Sequence, residues 1–161
     1  MRISRVDAET IALSELNPLL HELLHRIPES ADPEGNRAVE GRLYSSPTGG
    51  AEPEFDEDWI ELVGPDLREH FQSAMDVVRE DLEQIPRDAF DEKAVLRLAH
   101  KRLEAWVNAL NQARLAIATR HNFSERDMES VPPEDHPHAL PLFQMHLYGF
   151  LQEHFLREIA P

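Results

Sequence analysis

Two histidines and a glutamate near the start of the chain have the types and spacing of metal ligands on a helix. Glu22 and His25 form a Glu-x-x-His pair, the spacing with which helical di-iron bundles direct two ligands into their core, and His21 lies four residues before His25. Such a site needs the same pair on a second helix and two further glutamates, and no other helical segment of this sequence repeats the pair. A metal-binding or metal-dependent protein is therefore an alternative interpretation, and histidines at the surface are the simpler one.

Several motifs of known catalytic and cofactor sites are absent from the sequence. The chain has no cysteine, which excludes disulfides, thiolate zinc sites, iron–sulfur ligation and a cysteine nucleophile. It also has no Gly-x-Ser-x-Gly, no phosphate loop and no Gly-x-Gly-x-x-Gly. We therefore expect a protein that is not an enzyme, with no catalytic residues and no cofactor.

A polar pair lies beside an apolar surface in residues 106–120. On a helical wheel, Arg114 falls at the edge of the face that carries Trp106, and Asn111 lies on the next strip. Because a buried guanidinium group needs a partner, we expect Asn111 and Arg114 to be partly buried in a polar network that fixes the register of the helix. The expected partner of Arg114 is a carboxylate of the preceding helix, with Asp76, Glu80 and Glu83 as candidates. A site of interaction at Trp106, Asn111 and Arg114 is the alternative.

Charge is unevenly distributed along the chain. The sequence has 16 Lys and Arg against 31 Asp and Glu, a net charge of −15. Residues 29–92 carry 19 acids and 5 bases, whereas residues 93–121 carry 6 bases and one acid. A field of this sign repels phosphate backbones and anionic headgroups, so we expect no binding to nucleic acid or to membranes. The basic segment predicts either packing against acidic helices or a positively charged docking strip for a partner.

The first third of the chain combines a short hairpin, a helix and an irregular segment. Residues 2–6 and 10–13 favour two β-strands with a short connection. Asn17 followed by Pro18 is typical of a helix start, and the leucine-rich stripe that follows predicts a helix that ends before Pro28. Residues 29–57 are acidic and rich in Pro and Gly, which predicts an irregular excursion across the surface.

The rest of the chain is predicted to be helical with one interruption. Apolar residues recur at three and four positions over residues 67–85 and again over 92–121, which predicts two long helices. Residues 122–141 form a polar, Pro-rich connection in which residues 124–127 resemble a capping box, and residues 142–159 form the last helix. The expected fold is a single, mainly α domain over residues 1–161, a compact bundle of about four principal helices with a short N-terminal β-hairpin.

The last predicted helix is apolar on nearly every side. Such a helix is either central to a bundle or has a second face for a partner. Phe143, Phe150 and Phe155 are the candidate interface residues, because one bundle core does not readily cover all of them. We expect a homodimer that buries this face.

Four segments of the chain occur in the order found in one known family. They are residues 41–44 (Gly-Arg-Leu-Tyr), residues 59–68, residues 106–120 with the pattern Trp-x-x-x-Leu-Asn-x-x-Arg-Leu, and residues 147–152. With these segments the chain resembles the uncharacterised family catalogued as domain of unknown function 2017. It departs from the family pattern at Tyr44-Ser45, where the pattern has Phe-Pro, and at Ala118, where it has glycine. The resemblance implies a helical cytoplasmic protein of regulatory type, with no catalytic residues to carry over.

The sequence as a whole favours a non-enzymatic protein–protein interaction or regulatory module whose partner is unknown. A cytoplasmic location is expected, because acidic residues stand where a signal peptide needs its apolar region and no stretch of 18 apolar residues is present. The two alternatives are a metal-dependent protein and a structural homo-oligomer.

Overall fold

Seven α-helices and three short β-strands occupy the part of the chain that the computed structural model describes, residues 1–129 and 135–160. In chain order the elements are β1 (Arg2–Arg5), β2 (Thr10–Ser14), α1 (Pro18–Ala31), α2 (Arg37–Leu43), α3 (Pro53–Leu62), α4 (Gly64–Leu82), β3 (Leu96–Ala99), α5 (Leu103–His121), α6 (Glu125–Met128) and α7 (Ala139–Ile159). The expectation of a mainly α chain with an N-terminal hairpin is confirmed. No helix in the described residues has the length and apolar character needed to cross a bilayer.

The hairpin is extended by a third strand that comes from the middle of the sequence. β3 pairs antiparallel with β2, so that the strand order is β1-β2-β3. The prediction of one helix over residues 92–121 is therefore wrong in its first part, because the helix α5 begins only at Leu103. Leu96 and Leu98 are buried and Arg97 between them is exposed, an alternation with period two that a helical reading of the segment overlooks.

A side chain covers the free edge of β3. The Gln84 carboxamide donates a hydrogen bond to the Arg97 carbonyl oxygen at 2.9 Å and accepts one from the Arg97 N–H at 3.1 Å. It therefore occupies the position of a peptide group in a neighbouring strand. This arrangement satisfies an edge that would otherwise be open to another chain.

The expectations for residues 18–57 need two corrections. Asn17 caps α1 as predicted, with its side chain accepting from the Leu20 N–H at 2.8 Å, but the helix continues through Pro28 to Ala31. Burial of Pro28 and Ala31 in the last turn offsets the backbone hydrogen bond that proline cannot donate. The segment 29–57 is not irregular throughout, because it contains α2 and the first half of α3.

Helix α5 lies at the centre of the fold and packs against α1, α2, α4 and α7. Trp106 and Phe155 are both fully buried where α5 meets α7, with their rings edge to face and 6.0 Å apart between centroids. The proposed interface role of Phe155 is therefore wrong, since this ring belongs to the core. Phe143 and Phe150 lie on the opposite side of α7 and are 37% and 54% exposed.

The connection between α5 and α7 contains one helical turn. Ser124 and Asp127 form the predicted capping box at the start of α6: the Asp127 N–H donates to the Ser124 hydroxyl and the Ser124 N–H donates to the Asp127 carboxylate. The part of the predicted connection at residues 130–134 lies outside the described residues. Helix α7 then begins at Ala139, three residues before the predicted start.

Candidate functional site

The two histidines of α1 bind the chain itself. The Nε2 atoms of His21 and His25 lie 3.0 and 2.8 Å from one backbone oxygen, that of Ile85. Because a carbonyl oxygen only accepts hydrogen bonds, each imidazole carries a proton on Nε2. Burial lowers the pKa of His25, which keeps this ring neutral at pH 7. The pair thus fastens the segment after α4 to α1.

The Glu22 carboxylate turns away from both histidines. It accepts hydrogen bonds from Arg87 at 2.6 and 3.0 Å and from Arg26 at 2.8 Å, and these guanidinium groups lower its pKa to about 2. His21, Glu22 and His25 therefore do not converge on one point. No group of three His, Cys, Asp or Glu side chains in the described residues is placed to hold a metal ion.

A partly buried charge pair lies beside Trp106, twelve residues before Arg114, where the sequence predicts it. The Trp106 indole N–H donates to the Asp81 carboxylate at 2.8 Å, and Arg102 Nε lies 3.0 Å from the same carboxylate. Arg102 also donates to Glu80 at 2.8 Å, and these two carboxylates raise the pKa of Arg102. The expected arginine–carboxylate network between α4 and α5 thus exists, but Arg102 is its cation.

Arg114 faces α7 instead of α4, so the expectation of a carboxylate partner is wrong. Its Nη1 donates to the Gln152 side-chain oxygen at 2.7 Å, while its Nε is buried and has no hydrogen-bond partner among the described residues. The guanidinium group crosses α7 at Gly149, where an added Cβ atom would lie 3.4 Å from Arg114 Nε. Asn111 is exposed, which corrects the expectation that it is partly buried.

Arg114 and Asn111 line a cavity of about 420 Å³ that α5 shares with α2 and α7. We name it the α2–α5 pocket; its other lining residues are Arg42, Leu115, Ala118, Thr119, Asn122, Phe123 and Met145. The described residues place two guanidinium groups in this wall and no carboxylate. For a chain with 31 acidic and 16 basic residues, such a lining is unusual.

Helix α2 brings the second arginine to the pocket. The Asn36 side chain caps α2 by accepting from the Ala38 and Val39 N–H groups at 3.0 and 3.2 Å. Val39 and Leu43 then pack in a small cluster with Ala116 of α5. Because these two residues face α5, their neighbour Arg42 is held beside the same helix at the rim of the pocket.

The other arginines around α5 are already compensated by the chain. Arg102 pairs with α4 as described above, and Arg120 donates to the backbone oxygens of Ser30 and Asp32 at the end of α1. No ion pair joins Arg42 or Arg114 to any acidic residue of the described chain. These two cations are therefore available to a bound anion.

Two further cavities are less suited to an anion. A cavity of about 540 Å³ between α1 and α4 contains four carboxylates in its wall, those of Glu29, Asp32, Glu34 and Glu83. A smaller one of about 210 Å³ contains the unpartnered amide nitrogen of Gln112 and the Arg68 guanidinium, which stacks on Tyr44 at 4.1 Å from the ring centroid. Its wall also includes the Asp32 carboxylate, which repels an anion bound in this cavity.

Of the nine residues that line the α2–α5 pocket, the sequence pointed to two. It selected Asn111 and Arg114, which the structure brings together there, but it did not select Arg42, Gly149 or Gln152. The available signal was the resemblance, since residues 41–44, 106–120 and 147–152 are three of the four segments that carry it. These three segments, distant in sequence, meet around Arg114.

The fold and the pocket define a mainly helical protein with a basic cavity on its central helix. A family model described as Domain of unknown function (DUF2017) matches residues 5–159, and the chain belongs to this family. No curated protein and no solved structure matches the chain at a significant level.

Proposed function

We propose that the protein is a non-enzymatic, cytoplasmic interaction module that binds a partner protein through the α2–α5 pocket. The observation that carries this proposal is the pair of uncompensated guanidinium groups, Arg42 and Arg114, in a wall without carboxylates on a chain of net charge −15. The field of such a protein repels anions at long range. A pocket of this kind therefore selects a partner whose negative charge is confined to the group that enters the pocket.

The roles of the buried polar groups support binding rather than catalysis. His21 and His25 bind a backbone carbonyl, Asp81 accepts from Trp106 and Arg102, and the Tyr148 hydroxyl donates to the Leu23 carbonyl oxygen at 2.7 Å. In the α2–α5 pocket, the described lining has no histidine, carboxylate or thiol that could act as a general base or nucleophile.

A photo-crosslinking experiment tests the proposal in the native cytoplasm. We would place benzoylphenylalanine at Asn111, which is exposed at the pocket, and at Glu104 on the same helix as a positional control. We expect a discrete protein adduct from position 111 only, and we expect Arg42→Gln to abolish it. The matched control Arg97→Gln removes one exposed, unpaired arginine elsewhere and should leave the adduct unchanged. An adduct that is insensitive to Arg42→Gln, or none at all, would contradict the proposal.

Self-association is a second candidate function, favoured by the outer side of α7. Phe143 and Phe150 are exposed there, and Leu156 further along the helix is 49% exposed. Large apolar side chains at neighbouring turns of a terminal helix are typical of a surface that another chain covers. A homodimer through this surface leaves the α2–α5 pocket free for its partner.

A further inference from the structure

We propose that the α2–α5 pocket binds the free C-terminal carboxylate of a partner polypeptide whose last side chain is apolar. This inference rests on the proposed function and adds the chemical class of the ligand. Three properties of the pocket lead to it: the state of its two arginines, the sign and size of the surrounding charge, and the mixture of apolar and amide groups in its wall.

The two arginines of the α2–α5 pocket have no negatively charged partner in the described chain. A guanidinium group has five N–H donors, and for Arg114 the described chain supplies one acceptor, the neutral amide oxygen of Gln152. Its Nε is already removed from solvent, so the charge is partly desolvated without a counter-ion. A carboxylate that reaches Arg114 and Arg42 together brings one negative charge to the pair and accepts charge-assisted hydrogen bonds from both, the strongest type available to arginine.

The net charge of the protein favours a ligand with one negative charge over a phosphoryl group with two. The chain carries −15, and every additional negative charge on a ligand is repelled by the same field. A carboxylate matches the fork of donors on arginine as well as a phosphoryl group does, at half the charge. The surrounding field therefore selects a carboxylate.

The rest of the wall matches the other groups of a C-terminal residue, its side chain and its peptide group. Leu115, Ala118, Phe123 and Met145 supply an apolar surface, and the Asn111 and Asn122 carboxamides can donate to and accept from a peptide group. A C-terminal residue carries its carboxylate, its side chain and its peptide N–H on one Cα atom, so all three can enter one cavity. A volume of about 420 Å³ lies in the lower part of the range for ligand pockets, about 300–1,000 Å³, and suits one or two terminal residues.

Fluorescence anisotropy with short labelled peptides tests the inference on the full chain. The peptides are Gly-Ser-Gly-X with a free carboxylate, where X is Leu, Phe, Val, Met or Ser, and the same peptides with a C-terminal amide. We expect saturable binding for at least one peptide with an apolar last residue and a free carboxylate, and at least about tenfold weaker binding for its amide and for X = Ser. Arg42→Gln and Arg114→Gln should each weaken binding at least about tenfold, whereas Arg97→Gln should not.

The competing ligands give distinguishable results. Binding that is equal for the amide and the free acid would overturn the inference, as would the absence of binding by every free-acid peptide. Inorganic phosphate that competes at lower concentration than acetate would assign the pocket to a phosphoryl group, and N-acetyl-leucine that binds as tightly as the peptide would assign it to a small carboxylic acid. Each of these results overturns the assignment of a C-terminal carboxylate as the ligand.

The proposed function is tested separately: it fails if the photo-crosslinking experiment gives no Arg42-dependent adduct. Arg42 is exposed, so its variant keeps the test valid even if Arg114→Gln does not fold.

Discussion

Arg102, directly before α5, and Arg114, within it, have different roles because different groups face them. Arg102 binds the buried carboxylate of Asp81 and is only 27% exposed, whereas Arg114 binds the neutral amide of Gln152. Truncation of Arg102 leaves Asp81 with one hydrogen bond from Trp106 and without its ion-pair partner. Truncation of Arg114 leaves only the neutral Gln152 amide without its partner, so no unpaired charge results.

We therefore expect Arg102→Ala to lower the free energy of unfolding by about 3 kcal/mol, at the lower end of the range for breaking a buried ion pair because Arg102 retains some solvent contact. Arg114→Gln should cost about 1 kcal/mol, the value of one ordinary hydrogen bond. Urea unfolding followed by circular dichroism measures both. Equal losses for the two variants would show that Arg114 has a structural charge partner and would remove it from the proposed site.

The burial of His25 predicts a pH dependence of stability. Its pKa is lowered from the ordinary value of 6.5 in the folded state, chiefly by burial, so below pH 6.5 the unfolded chain binds more protons than the folded one. The stabilising effect of the neutral ring is complete above pH 6.5 and is lost as the pH falls through the folded-state pKa. The low pKa of Glu22, about 2, places its own effect at more acidic pH.

The measurement is urea unfolding of the parent chain and of His25→Gln at pH 7.5 and 5.5. We expect the parent to lose more stability between the two pH values than the variant does. His70→Gln, at an exposed position, is the matched control for removal of one imidazole. Parallel losses in the parent and in His25→Gln would refute this role of His25.

At the scale of elements, the sequence predicts helices well where caps and apolar periodicity agree. The starts of α1, at Asn17, and α6, at Ser124, follow from side-chain caps that the structure contains. The boundary between β3 and α5 could not be predicted in the same way. Leu98, Ala99 and Leu103 fit a helical stripe, whereas Leu96 and Leu98 alternate with Arg97 as in a strand. Only pairing with β2, about 85 residues earlier in the chain, decides between the two patterns.

Of the two arginines in the α2–α5 pocket, the sequence could predict one and not the other, for a similar physical reason. Arg114 is visible in the sequence because it lies at the edge of an apolar helical face. Arg42 lies in a segment whose composition predicts an irregular loop, and its position depends on the packing of Val39 and Leu43 onto Ala116. Such long-range packing has no local signal in the sequence.

The packing of α2 on α5 gives a prediction for the pocket as a whole. Leu43→Ala truncates one of the two buried side chains that seat α2, so it should weaken peptide binding at least as strongly as Arg42→Gln does. Leu98→Ala is the matched control, because it removes a fully buried leucine of β3 and should cost about 2–5 kcal/mol of stability without weakening binding under conditions in which the chain is folded. Anisotropy with the best free-acid peptide measures both variants. Unchanged binding by Leu43→Ala would show that α2 does not form the pocket.

For the whole molecule, the outer surface of α7 predicts a homodimer. The core accommodates Phe155, so the expected interface is smaller than the sequence suggests and centres on Phe150, which is 54% exposed. We expect sedimentation at micromolar concentration to show a dimer and Phe150→Glu to shift it to the monomer, because a charge at the centre of an apolar interface is left unpaired. A single 18.5 kDa species for the parent chain would refute the dimer.

The protein as a whole repels anions, and the α2–α5 pocket is a local basic site on it. Most of its arginines are bound by its own carboxylates or carbonyl oxygens, so the field around the molecule is dominated by excess acid. Within it, Arg42 and Arg114 form a small region of opposite sign. Specificity then comes from the ability of a ligand to deliver a single carboxylate to that region.

The Arg114 guanidinium reports most directly on this claim. In a ¹H–¹⁵N spectrum of the arginine Nε–H groups, assigned with Arg114→Gln, titration with the best free-acid peptide should shift the Arg114 resonance and leave that of Arg97 in place. The amide form of the same peptide should not cause the shift, because it brings no negative charge to the guanidinium group. An Arg114 resonance that stays fixed while the peptide binds, or that shifts equally with the amide, would contradict the assignment of the α2–α5 pocket as a carboxylate site.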